Sequence, residues 1–254
     1  MSERIRVWDL PVRVFHWLLA GSFAVAYLVA ESEQLRSLHV ILGYTATGLI
    51  LFRIVWGFVG SRFARFRSFW FAPRAAVEYL RSLRSQHPQH FIGHNPAGSY
   101  AIYAILLVGL ATGVTGYMRL NEIGGESAED IHELCANVWL GIVIIHLAGV
   151  ALGSWIHREN LVRAMITGYK KGMGGQPDGS GTSFPAGRAV GIALAASVAG
   201  FWIWALLTGS VPGDNGRVAR EQSEGRSEQN SQQNSVAGQS ESKRLAAKKP
   251  DLDD

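Results

Sequence analysis

The sequence predicts an all-α integral membrane protein: a four-helix bundle with a fifth transmembrane helix beside it. Three observations predict it. Five runs of about 20 apolar residues occur, the length that crosses a bilayer core. Only 17% of residues are charged against 48% hydrophobic. No run shows the period-two alternation of a half-buried strand. The mean hydropathy of +0.10 is modest only because the last forty-odd residues are strongly polar.

Span one covers about residues 12–30. Pro11 sits in its first turn, where a missing amide proton costs nothing. His16 follows, with Arg13 close before it, and Trp8 and Trp17 suit an interfacial belt. The lead MSERIRVWDLP has no early apolar region or small-residue cleavage site, so span one reads as retained and not as a signal peptide.

Span two covers about 38–59 and opens on His39. Gly43 and Gly48 leave room for a close helix or a flat ligand. Arg53 lies inside the apolar run LILFRIVWGFVG and reads two ways. It snorkels to the nearby interface, or it pairs with an anion held in the bundle.

Residues 60–96 form a basic loop in which Phe63, Phe66, Phe69, Trp70 and Phe71 alternate with arginines. It is expected to lie along the membrane surface, with a short amphipathic helix near Pro73 to Leu83. His87, His90 and the histidine of GHNPAG, outside any span, read as surface or turn residues.

Span three, about 99–118, has no histidine. Its stripe Gly109, Gly113, Gly116 reads as a packing face that gives space to a cofactor. Span four, about 131–156, carries His132 and His146. Fourteen residues are close to four turns, so both imidazoles share a face roughly 21 Å apart along the axis. Such a pair is either interhelical hydrogen-bonding glue or two stacked metal ligands. Span five, about 187–208, lacks histidine. Residues 1–208 thus form one membrane domain. Residues 209–254, rich in Ser, Gln, Asn and Glu, are expected to be a disordered polar tail.

Loop charge sets the orientation. Basic residues gather before span one and in the 60–96 and 157–188 loops. Glu31, Glu33, Glu122, Glu126, Glu129 and Asp130 occupy the other two. The positive-inside rule puts the N-terminus in the cytoplasm and the tail in the periplasm. The basic clusters, with a net charge of +4, speak to membrane lipid and not to nucleic acid.

This topology gives each histidine a depth. His16 and His146 fall at the inner level, His39 and His132 at the outer. Two imidazoles facing across a bundle can clamp a haem iron axially. Zinc and copper sites stay formally open, though they usually gather three or four ligands at one level. The single cysteine, Cys135, excludes an internal disulfide, and no CxxCH motif exists for covalent haem.

VWDLPVRVFHWLL, LHVILGY, FRIVWGFVGSRFARF, GHNPAG and the spaced His132 and His146 together resemble the bacterial cytochrome b561 family over about residues 5–208. That family includes b-type cytochrome subunits of nickel–iron hydrogenases and a superoxide-oxidising branch. The resemblance implies an inner-membrane protein with two haems b (iron) on His16, His39, His132 and His146, linked to quinone. Arg13 and Arg53 are further candidates for holding the cofactor. Electrons would pass between the quinone pool and a periplasmic c-type cytochrome, dehydrogenase or hydrogenase. The alternative is a superoxide oxidase feeding ubiquinone, which acidic outer loops disfavour because they repel an anion. Whether the chain is an enzyme by itself or an electron-transfer subunit stays open. Quinone chemistry moves protons, so a titratable group is expected near one haem at the membrane edge. His157, after span four, is the candidate, against an ordinary interfacial anchor.

Overall fold

A computed structural model describes residues 4–171 and 185–209, with residue 226 standing alone. The tail expected from residue 209 onward lies, after Gly209, outside this range apart from that one residue. Among the described residues, five helices are long and apolar enough to cross a membrane.

β1 (Arg4–Arg6) leads into α1 (Leu10–Leu28). Asp9 caps α1 by accepting the Val12 amide at 2.9 Å, with Pro11 in the first turn. α2 (Arg36–Val59) follows a single 3₁₀ turn at Glu33–Leu35. α3 (Pro73–Ser82) is the short surface helix. α4 (Pro96–Leu120) starts from Asn95, which accepts the Gly98 amide at 2.7 Å.

α5 (Gly125–Ile156) is 32 residues long. That is roughly 48 Å, well beyond a hydrocarbon core of about 30 Å. It therefore starts a turn and a half before residue 131. The acidic loop shrinks to a turn in which Gly124 and Gly125 take positive φ, 91° and 56°. The other spans likewise begin two or three residues earlier than apolar content alone suggests, because caps and first turns are polar.

α6 (Leu161–Thr167) and β2 (Tyr169–Lys171) come next, then α7 (Pro185–Thr208). β2 pairs antiparallel with β1, Ile5 opposite Lys170. This two-stranded ribbon was not expected. Three-residue strands are too short to show alternation, and the pairing is made by contacts about 165 residues apart in the chain.

α1 packs on α2 and α4 on α5, α2 touches α4, and α7 lies against α1. Tyr27 Oη donates to Asn137 Oδ1 at 2.8 Å and ties α1 to α5. Trp202 Nε1 donates to Thr45 Oγ1 at 3.0 Å and ties α7 to α2. One apolar cluster fills the bundle: Phe15, Leu19, Ala46, Leu49, Ile50, Leu106 and Trp139. A second, with Ile5, Val7, Trp8, Val12, Trp56, Ala64 and Ala164, closes the lower end, where α1 begins and α5 ends. Large apolar side chains such as Leu28, Phe58, Leu107 and Leu207 point outward, as a lipid-facing surface requires.

The 60–96 loop does more than skirt the membrane surface. Trp70 is exposed, but Phe69 is buried and Phe66 fills the space that Gly57 leaves. The glycine stripe of α4 also differs from its expected role. Gly109 receives Trp139, Gly113 receives Thr47, and Gly116 receives the ring of His132. Their space goes to neighbouring side chains.

Candidate cofactor site

At the upper end, His39 in the first turns of α2 faces His132 of α5. Their ring centroids are 6.2 Å apart and their planes nearly perpendicular, at 84°. His39 Nδ1 lies 2.9 Å from the Ala26 carbonyl. That carbonyl is in the last turn of α1, where helix carbonyls lack an intrahelical partner. His132 Nδ1 lies 3.0 Å from the Thr112 carbonyl and 3.2 Å from Thr115 Oγ1. With Nδ1–H donating to a carbonyl in both rings, each Nε2 keeps a free lone pair. A methyl at Gly116 would stand 3.0 Å from His132 Cε1, so glycine seats this ring.

At the lower level stand His16 of α1 and His146 of α5, both partly buried. His16 Nδ1 is buried without a hydrogen-bond partner. Arg53 does not snorkel. It is 3% exposed, with its guanidinium 5.0 Å from the Phe66 ring and 5.9 Å from Phe69. Its Nη1 has no hydrogen-bond partner, nor has the buried Tyr103 hydroxyl. Arg13 Nη2 donates to the Ile166 carbonyl and anchors α6, while its Nε is buried without a partner. Among the described residues, no group of three His, Cys, Asp or Glu side chains is arranged to hold a metal ion.

Of the loop histidines, His94 is packed inward and His90 is only partly exposed. The His94 ring packs between Trp8 at 4.6 Å and Phe69 at 4.3 Å. Burial, then Arg53, Lys170 and His146, push its imidazole down to about 3. His90 Nε2 lies 3.5 Å from Glu159 Oε2. Only His87 of this group is exposed. Polar flanking sequence suggests a solvated turn, and only the folded-back loop brings these rings under the bundle.

His157 caps α5 and contacts His90, ring centroids 4.8 Å apart. Its Nε2 is 3.5 Å from Tyr79 Oη. Burial, His90 and Lys170 together lower its imidazole below the ordinary range. Nearby, Lys170 is 6% exposed, with Nζ 3.1 Å from the Ile92 carbonyl and 3.3 Å from Glu159 Oε2. In the sequence, Glu159 figures only beside His157 and Arg158 in the cluster after span four, and Lys170 looks like an ordinary loop charge.

A prokaryotic cytochrome b561 family model matches residues 7–168. The chain belongs to the prokaryotic cytochrome b561 family. Among curated relatives, a probable Ni/Fe-hydrogenase B-type cytochrome subunit of Rhodobacter capsulatus is 24% identical over 213 residues, covering 65% of this chain and 81% of the relative. A probable Ni/Fe-hydrogenase 1 B-type cytochrome subunit of Escherichia coli (strain K12) is 24% identical over 212 residues, covering 65% and 89%. An Azotobacter vinelandii subunit of the same description is 23% identical over 220 residues, covering 68% and 91%. No solved structure matches the chain significantly. The cytochrome is thus a membrane electron-transfer protein of b type, and haem b is the cofactor its family implies.

Proposed function

We propose that this cytochrome carries two haems b and passes electrons across the bacterial inner membrane, between the quinone pool and a periplasmic redox partner. The observation that carries the proposal is the facing of His39 and His132. Two metal–imidazole bonds of about 2 Å, plus the distance of roughly 1 Å from nitrogen to each ring centre, call for centroids about 6 Å apart. The observed 6.2 Å fits. The carbonyl contacts at both Nδ1 atoms fit as well, since a partner on the far nitrogen orients an imidazole and raises its basicity as a ligand.

His39 and His132 would hold the outer haem, and His16 and His146 the inner. Arg53 Nη1 and Arg13 Nε, buried without hydrogen-bond partners, are donors suited to haem carboxylates. When bound, haem b would supply a one-electron iron couple, and the histidines are the residues that would hold its iron. The protein's share is to orient, insulate and exclude water. The N-terminus is assigned to the cytoplasm on loop charge. The relatives named above are hydrogenase subunits, so a hydrogenase-type partner at the acidic outer end is the leading reading, with a c-type cytochrome next.

The test is the haem content of single variants. Either H39A or H132A should halve the pyridine haemochrome yield and remove the same spectral component. H16A and H146A should remove the other. Loss of one component by both H16A and H39A would sink the pairing.

A further inference from the structure

We propose that Glu159 exchanges the hydroxyl protons of a quinone bound in the groove where α5 meets α6. The inference rests on the quinone reading above. The groove has a volume of about 570 Å³ and is lined by Leu147, Val150, Ala151, Ser154 and Trp155 of α5 and by the turn that follows, including Glu159. It starts one residue beyond His146. Its wall is apolar along the helix and polar where the helix ends. An isoprenoid tail with a polar head matches that gradient, because apolar contact holds the body and a few polar groups fix the head.

Glu159 belongs both to this wall and to the polar cluster behind it. Its carboxylate oxygens are buried and lack a hydrogen bond of good geometry. Lys170 Nζ stands 3.3 Å away from β2, and His90 Nε2 3.5 Å away from the 83–95 loop. His157, at the end of α5, touches His90, and Tyr79 of α3 touches His157. Arg158, next to Glu159 in the chain, lines the same groove. The cluster forms a titratable path from the groove to the loop surface.

The turn itself aims Glu159. Arg158 takes a φ of +50°, in the left-handed region that glycine usually fills. The Glu159 amide then bonds back to the Ser154 carbonyl at 3.1 Å. A non-glycine residue held there is strained, so the surrounding structure maintains this conformation.

On quinol oxidation, an O–H bond of the quinol breaks and its proton goes to the Glu159 carboxylate. His90 and His157 pass it onward. The electrons leave singly to the haem pair, the one-electron acceptor named above. After two protons and two electrons the quinol is a quinone. Run in reverse, the same carboxyl returns each proton.

The experiment uses full-length, haem-loaded protein with decylubiquinol and a menaquinol analogue. In E159Q, haem reduction by quinol should slow by on the order of 100-fold, the usual worth of a placed proton acceptor. Reduction by dithionite should not change. Quinone binding, read as tryptophan quenching that W155F diminishes, should persist. A wild-type rate of quinol reduction in E159Q overturns the proposal, and so does loss of binding, which would make Glu159 a binding group. Should E159Q accumulate without haem, the neutral pair E159Q/K170M is read by the same criteria. Failure of both quinols to reduce the wild-type protein would instead remove the quinone reading itself.

Discussion

At the scale of single residues, the smallest side chains carry sharp consequences. Gly116 leaves only the space of the His132 ring. In G116V, the added methyls must displace that ring, because interiors are packed too tightly to absorb them. The expected outcome is loss or reorientation of the outer haem with the inner retained. Haemochrome yield and the low-spin EPR signals of each haem check it. Asp9 is a second test. It caps α1 and also accepts Trp56 Nε1 at 2.9 Å. D9A removes a cap worth about 1 kcal/mol and leaves a buried indole N–H unpaired, costing about 1–3 kcal/mol more. A lower midpoint in thermal loss of the Soret band in detergent checks it, with the ligand spectrum before melting unchanged.

Glu159 also predicts a pH dependence of stability. Burial works to raise its carboxyl, but His90 and Lys170 outweigh burial and hold it below the ordinary value. A depressed folded-state pKa gives stability that is fully present above the unfolded pKa. That stability drains as pH falls from the ordinary carboxylate range through the lower folded value. As pH falls through and below the ordinary carboxylate range, wild-type protein should therefore lose thermal stability faster than E159Q. Parallel slopes would show that the Glu159 contacts carry no linkage.

At the scale of elements, α7 stands apart from the helices that carry the histidines. α7 rests against α1 and reaches α2 through the Trp202–Thr45 hydrogen bond. It contributes no histidine. W202F should cost about 0.5–1.5 kcal/mol and leave both haem spectra unaltered, a result read by thermal melting beside absorbance spectra. The β1–β2 ribbon and α6 act differently. They fasten the chain before α1 to the chain after α5, with the Val7 and Trp8 amides on the Gly168 carbonyl at 2.9 and 3.1 Å. This closure packs the lower end and buries Lys170 beside Glu159.

At the scale of the whole molecule, the prediction is orientation. Basic loops at one end and acidic loops at the other should place the N-terminus in the cytoplasm. In a C135S background, a cysteine at residue 235 (S235C) should react with an impermeant maleimide from the periplasmic side of intact spheroplasts. Labelling only after lysis would invert the topology and exchange the inner and outer levels assigned to the histidines.

Amphipathic and apolar periodicity determined which segments are helices, because the bilayer admits few alternatives to a long apolar helix. The same one-dimensional information placed His39 opposite His132, since span direction and position along a helix fix depth. It also foresaw α3. The fate of the 60–96 loop was decided only by tertiary structure. Its alternating arginines and aromatics fit a surface segment equally well, and only the packed lower end shows Phe69 and His94 turned inward. Arg53 was ambiguous for the same reason, because snorkelling or burial depends on what covers the helix end. The glycines of α4 read as free space until their neighbours, Trp139, Thr47 and His132, were known. Glu159 and Lys170 were invisible as a pair. Their meeting depends on a ribbon that joins residues 4–6 to 169–171, a long-range contact that no local pattern encodes.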